Sequence, residues 1–101
     1  MRLSSRVIKI LNHTIKESFG NVDIYLFGSR VDDSKKGGDI DLAIDTNLSR
    51  MEFRKKKSHL LAMLMRIDFD YAIDIVDFNT KDELLYNEIH KNNIKINNEI
   101  L

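Results

Sequence analysis

The run Asp39–Asp45, DIDLAID, alternates acidic and apolar side chains with almost no interruption. Successive side chains of a β-strand point to opposite faces of the sheet, so the apolar residues share one face while Asp39 and Asp41 share the other. The run therefore predicts a strand in a sheet with one covered, apolar face and one face on which carboxylates gather.

Helices are predicted on three segments in which apolar residues recur at three- and four-residue steps. The first covers residues 4–18 and ends before Gly20, and the second covers residues 49–67. The third begins at Thr80-Lys81-Asp82-Glu83, which has the spacing of a capping box, and ends near His90.

Further strands are predicted at residues 22–27 and 70–76, where β-branched, aromatic and alternating side chains are frequent. The second of these has Asp74 in its middle, on the side opposite Ile73. Residues 94–96 predict a short edge strand, and the polar residues 30–38, which end in two glycines, predict a loop with a helical turn after Ser29.

This order of elements predicts an α/β fold, in which a small mixed sheet has helices packed on one face. The opposite face would then hold Asp39, Asp41 and Asp74. The length of 101 residues suits a single domain over residues 1–101, with a frayed tail after about residue 97.

Composition limits the classes of partner. The 16 basic and 16 acidic residues balance, so no strong nucleic-acid binding is expected. Cysteine is absent, and no apolar run approaches the roughly 20 residues that span a bilayer, so we expect a cytoplasmic protein without a membrane partner.

Three carboxylates on one face repel one another and are best tolerated with a cation between them. Oxygen ligands select a hard ion, Mg²⁺ or alternatively Mn²⁺, and Mg²⁺ is normally shared with substrate phosphates. Gly28 and Ser29, at the end of a strand and the start of a helical turn, have the character of an anion cradle. Together these features predict a site for a nucleoside triphosphate.

The spacing of these residues resembles a known signature. Gly28-Ser29, nine residues, then Asp39-Ile40-Asp41-Leu42 and an aspartate in the next strand are similar to the pattern of the polymerase-β-type nucleotidyltransferase superfamily. Among its members the chain resembles the minimal nucleotidyltransferase (MNT) domains, antitoxins that are usually encoded beside an all-helical HEPN ribonuclease toxin. The resemblance implies ATP as substrate and transfer of AMP to a tyrosine of the toxin.

By position, the resemblance implies that Asp39 and Asp41 bind two Mg²⁺ ions. Asp74 would bind the catalytic metal and help to deprotonate the attacking hydroxyl. Gly28 and Ser29 would hold the β- and γ-phosphates, and Arg30 would be a further phosphate contact.

The loop departs from the family pattern at two places. Val31-Asp32-Asp33 stands where members often have a small residue and a glycine, and Gly37-Gly38 stands where a serine often precedes the first aspartate. These departures put the loop geometry and the nucleotide preference in question more than the activity.

Some residues have competing interpretations. Asp77 competes with Asp74 as the third ligand, but alternation puts it on the apolar side. Tyr25 and Phe27 fit base stacking on one side of the strand, and for Phe27 core packing is an equal alternative. Lys57 fits either a solvated helix face or a side chain that reaches toward the nucleotide.

The residues 54–59, RKKKSH, also match the loose R-x4-H pattern of HEPN ribonucleases. That fold is all helical, whereas this chain has clear strands. His59 is therefore interpreted as an ordinary helix-surface histidine.

Three functions remain open. The first is a Mg²⁺-dependent protein adenylyltransferase that acts on a HEPN toxin as its antitoxin. The second is a non-catalytic antitoxin that neutralises the toxin by binding. The third is a small-molecule nucleotidyltransferase, although such enzymes usually have an added helical domain. A homodimer is compatible with each of them.

Overall fold

The computed structural model describes residues 3–31 and 39–97, with the side chains of Ser29 and Arg30 left outside the description. The described residues do not include positions 32–38 of the predicted loop, so Asp32, Asp33, Gly37 and Gly38 of the two departures from the family pattern are outside them. The tail after residue 97 is outside them as well. The elements are α1 (Ser5–Phe19), β1 (Asp23–Phe27), a 3₁₀ turn (Gly28–Val31), β2 (Ile40–Asp45), α2 (Arg50–Arg66), β3 (Ile73–Asp77), α3 (Glu83–Lys91) and β4 (Asn93–Lys95).

The described strands form one mixed sheet in the order β3-β2-β1-β4. β1 pairs antiparallel with β2 and with β4, whereas β2 and β3 are parallel and are joined through α2. The predicted edge strand at residues 94–96 is confirmed, one residue earlier, as β4. The α/β class with a small mixed sheet is therefore confirmed.

The first two helices begin and end close to the predicted positions because their caps are encoded locally. The Ser4 hydroxyl accepts from the Val7 amide at 3.2 Å, and Ser49 caps α2 in the same way. α1 ends at Gly20, whose φ of +84° lies in the region that favours glycine.

The predicted capping box at residues 80–83 is wrong. α3 is capped by Asp82, whose carboxylate accepts from the Leu85 amide at 3.2 Å. The Thr80 hydroxyl instead accepts from the Asp82 amide, which closes a turn before the helix. Aspartate is a strong N-cap, and it competed successfully with the threonine two residues earlier.

The third strand begins later than predicted, at Ile73 instead of residue 70. Its parallel partner β2 begins at Ile40, which pairs with Ile73, and the Ile40 amide donates to the Ala72 carbonyl at 2.9 Å. In the described part of the chain the parallel ladder begins at this pair, so the alternation of residues 70–72 did not by itself extend the strand.

One face of the sheet is covered by α1 and α2. The main core cluster contains Leu11 and Ile15 of α1 and Leu60 of α2, packed on Leu42 and Ile44 of β2. Each of these five side chains is fully buried. The apolar face that the alternation of β2 predicts is therefore the face that binds the two long helices.

The third helix, α3, packs on the face of the sheet opposite to α1 and α2. The sequence had predicted all helices on one face, so the arrangement differs from the prediction in this respect. Ile89 of α3 is buried against Phe27 and Ala43, with Leu85 beside it. α3 is thus placed over part of the face on which the strand alternation puts the aspartates. In the described ranges, no helix is long and apolar enough to cross a membrane.

Candidate functional site

Asp41 and Asp74 lie side by side on neighbouring strands. They are register partners in the parallel pair of β2 and β3. Adjacent strands are about 4.8 Å apart, and side chains that are paired in register point to the same face. Two carboxylates that are 33 positions apart in the sequence are thus brought together by one parallel ladder.

Asp39 lies at the entrance to the same face. It precedes β2 by one residue and is exposed. Its place two residues before Asp41 puts both side chains on one side of an extended chain. The three aspartates singled out in the sequence are therefore brought toward one region of the sheet.

The electrostatic state of Asp41 reflects this crowding. Partial burial raises the pKa of its carboxyl above the ordinary value, and the charges of Asp74, Asp39 and Glu88 raise it further. Each cause disfavours the charged form of Asp41. The position is thus one at which a positive charge would be stabilising.

Glu88 is a contributor that the sequence analysis missed. It lies on α3, and its charge acts on Asp41 because this helix packs on the second face of the sheet. A signal was present, since Glu88 lies three residues after Leu85 and next to Ile89, on the flank of the inward-facing stripe. The missing information was the face of the sheet on which α3 packs.

Gly28 lies directly against Asp41. Its φ is +79°, and a Cβ atom at this position would stand 2.6 Å from the Asp41 Oδ2 atom. Only glycine allows both the backbone conformation and the close approach. The 3₁₀ turn begins at this residue, so the backbone that resembles a phosphate cradle starts beside the carboxylates. The side chains of Ser29 and Arg30 lie outside the description.

Other carboxylates near the sheet have structural partners. Asp45 accepts from the Asn79 side-chain amide at 2.6 Å, and Asp77 accepts from the Asn79 backbone amide at 2.9 Å. Both fix the turn that follows β3. These contacts assign Asp45 and Asp77 to the turn and agree with the choice of Asp74 rather than Asp77 for the acidic site.

The aromatic residues of β1 are packed within the protein. Phe27 is buried beside Ile89, and the Tyr25 ring stacks on Phe78 with centroids 4.5 Å apart. For Phe27 the core-packing interpretation is therefore the correct one. Phe78 also contacts His90.

A hard divalent cation fits the chemistry of the donor set. The ligands available on this face are carboxylate oxygens, and burial together with neighbouring acidic charges raises the pKa of Asp41. Within residues 3–31 and 39–97, no three acidic, histidine or cysteine side chains are close enough to form a ready-made metal cage. Mutual repulsion of like charges opposes such a closed arrangement.

Comparison with known proteins identifies the family. The sequence matches the family model of polymerase beta nucleotidyltransferases over residues 9–99. This match covers most of the chain, including both strands of the candidate site. The chain belongs to the polymerase beta nucleotidyltransferase family. No protein in the curated collection matches it.

Solved structures with a similar fold include toxin–antitoxin complexes. A chain from the complex of a tri-AMPylated Shewanella oneidensis HEPN toxin with MNT antitoxin matches with a TM-score of 0.59 and 20% identity, over 88% of this chain and 67% of that one. A mutant of the MntA–HpeT toxin–antitoxin pair matches with a TM-score of 0.63 and 15% identity, over 88% and 71%. A third structure, from Shewanella oneidensis, matches with a TM-score of 0.58 and 18% identity, over 92% of this chain and 71% of that one. At these identities the likeness establishes the fold.

Proposed function

We propose that this chain is a Mg²⁺-dependent nucleotidyltransferase that transfers AMP from ATP to a tyrosine hydroxyl of a HEPN toxin, and so acts as an antitoxin. The observation that supports this most strongly is the pairing of Asp41 with Asp74 across β2 and β3, with Gly28 packed against Asp41. Membership of the nucleotidyltransferase family gives the reaction class.

In the proposed reaction, the acceptor hydroxyl oxygen attacks the α-phosphorus of ATP. The new O–P bond forms as the bond to the bridging oxygen breaks, and pyrophosphate leaves with the electron pair. The hydroxyl proton passes to a base, a role proposed for Asp74. Bound Mg²⁺ would neutralise the triphosphate and stabilise the attacking and leaving oxygens.

Each residue of the proposed site has a distinct part. Asp39 and Asp41 would hold two metal ions, and Asp74 would share the catalytic one. The turn at Gly28 would present backbone N–H groups to the β- and γ-phosphates, with Ser29 and Arg30 as further phosphate contacts. Positioning and charge neutralisation are the main contributions that a protein makes to phosphoryl transfer.

The proposal of a HEPN toxin as acceptor is supported by two of the structural neighbours, which belong to toxin–antitoxin pairs. Both share the fold of this chain over 88% of its length. A tyrosine acceptor is suggested by the family resemblance of the Gly28-Ser29 and Asp39–Leu42 motifs.

The test is intact-mass spectrometry of an all-helical HEPN protein encoded in the neighbouring gene, incubated with this chain, ATP and Mg²⁺. We expect a mass gain of one or more AMP units on the toxin. The double variant Asp39→Asn plus Asp41→Asn should lower the rate of transfer by at least about 10²-fold, because it removes metal ligands.

A second candidate, neutralisation by binding alone, is favoured by the first of these neighbours, which is a complex of a HEPN toxin with an MNT antitoxin. The same experiment separates the two. If no AMP is transferred and the double variant still forms a stable complex with the toxin, binding alone is the function. Transfer to a small-molecule acceptor, with none to the toxin, would support the third possibility.

A further inference from the structure

Lys57 occupies an unusual position on α2. The residues of this helix that pack on the sheet are Phe53, Leu60 and Leu64, all buried. Lys57 lies four residues after Phe53 and three before Leu60, so it belongs to the same stripe of the helix. A lysine on a core-facing stripe must direct its ammonium group either to solvent or to a group of opposite charge.

The ammonium group of Lys57 lies near the acidic face. Its Nζ atom is 4.0 Å from the Asp74 Oδ1 atom, with side-chain exposures of 35% and 57%. α2 packs on the opposite face of the sheet, but β3 is an edge strand, and a long side chain can pass around that edge. Lys57 thus joins the helix layer to the candidate site.

We propose that Lys57 couples the binding of divalent cations at this site to the binding of the nucleotide. Without nucleotide, Lys57 is the counter-ion of Asp74 and weakens the attraction of the acidic face for a cation. With a nucleoside triphosphate in place, its ammonium group turns to a phosphate and leaves Asp74 to the metal. This inference rests on the proposed function and adds a residue and a binding order to it.

Loss of the Lys57 charge should change the affinities for the cation and for the nucleotide in opposite directions. Removing the charge of Lys57 increases the negative potential at Asp74, so a cation alone should bind more tightly. The same change removes a phosphate contact, so the nucleotide should bind more weakly. A unit charge at about 4 Å near a solvated surface changes each dissociation constant by roughly two- to five-fold.

The experiment measures two affinities by calorimetry, that of Mn²⁺ alone and that of α,β-methylene-ATP in the presence of Mn²⁺. Lys57→Met removes the ammonium group, keeps an unbranched side chain that is one atom shorter, and suits the apolar stripe. It is expected to lower the Kd for Mn²⁺ and raise the Kd for the analogue, each by about two- to five-fold. Lys57→Arg should resemble the wild type.

Lys56→Met is the matched control, because it removes the same charge at the adjacent position of the same helix. It should leave both affinities within experimental error of the wild type. Equal behaviour of the two methionine variants, or a loss of both affinities in Lys57→Met, would overturn the inference while leaving the proposed function intact. A wild-type chain that binds neither Mn²⁺ nor the analogue would overturn both.

Discussion

At the scale of single residues, the candidate site depends on the close approach of the Gly28 backbone to the Asp41 carboxylate. The side chain of Asp41 is crowded by three acidic groups and by the backbone at Gly28. A glycine in the left-handed region is ordinary in turns, but here it also leaves room for a carboxylate. Its replacement therefore tests the site more specifically than the removal of a charge does.

We predict that Gly28→Ala lowers the free energy of unfolding by about 1–2 kcal/mol, because alanine is strained at a φ of +79°. It should also lower nucleotidyl transfer by about 10²-fold, since the added Cβ displaces the Asp41 carboxylate. The measurements are urea denaturation and the initial rate of AMP transfer.

Gly20→Ala is the matched control for this prediction. Gly20 has a similar φ of +84°, but a Cβ there would meet no atom within 4 Å. The Gly20→Ala variant should lose a comparable free energy of unfolding and keep its nucleotidyl transfer activity. Equal activities of the two alanine variants would show that the contact of Gly28 with Asp41 has no role in catalysis.

At the scale of elements, local sequence determined where helices begin, and competition between neighbouring capping residues determined the detail. Ser4 and Ser49 are the N-caps of α1 and α2, each directly before the first helical residue. Before α3 two candidates lie two residues apart, and Asp82 is the cap whereas Thr80 closes the preceding turn. Removing each side chain should therefore have different costs.

We predict that Asp82→Ala lowers the free energy of unfolding by about 1 kcal/mol, through loss of the N-cap of α3. Thr80→Ala should cost less than about 0.5 kcal/mol, because only a turn contact is lost. Asp82→Asn, which keeps a capping oxygen, should stay close to the wild type. Chemical denaturation of the three variants makes the comparison, and a larger effect of Thr80→Ala would restore the capping box.

At the scale of the whole molecule, folding brings together charges that are distant in the unfolded chain. Asp41 is near Asp74 only when β2 and β3 pair, and near Glu88 only when α3 packs on the sheet. Burial of the carboxyl on folding, followed by these neighbouring charges, raises the pKa of Asp41 in the folded state. The folded state binds more protons than the unfolded state between the ordinary and the raised pKa.

This sign predicts that, without metal, the stability contributed by Asp41 is greatest below its ordinary pKa and is lost as the pH rises through the raised pKa. Asp41→Asn should therefore be more stable than the wild type at neutral pH, with a difference that shrinks in acid. Thermal unfolding from pH 4 to pH 7 with a chelator present measures this. Asp70→Asn, at an exposed position before β3, is the control, and a difference that is independent of pH would contradict the prediction.

The sequence by itself predicted the order of the elements, and it proposed Asp39, Asp41 and Asp74 as the candidate site. Alternation in β2 separated the apolar residues from Asp39 and Asp41, helical periodicity located α1 and α2, and Asp74 was distinguished from Asp77 by its side of the strand. These are properties of a few consecutive residues, which is why a local pattern reports them.

Only the tertiary structure decided how the elements meet. Strand pairing placed Asp41 opposite Asp74, the packing of α3 on the second face brought Glu88 into the field of Asp41, and the edge position of β3 let Lys57 approach Asp74. The physical reason is that periodicity specifies which side of an element is apolar, whereas the register between strands and the face chosen by a helix depend on long-range packing.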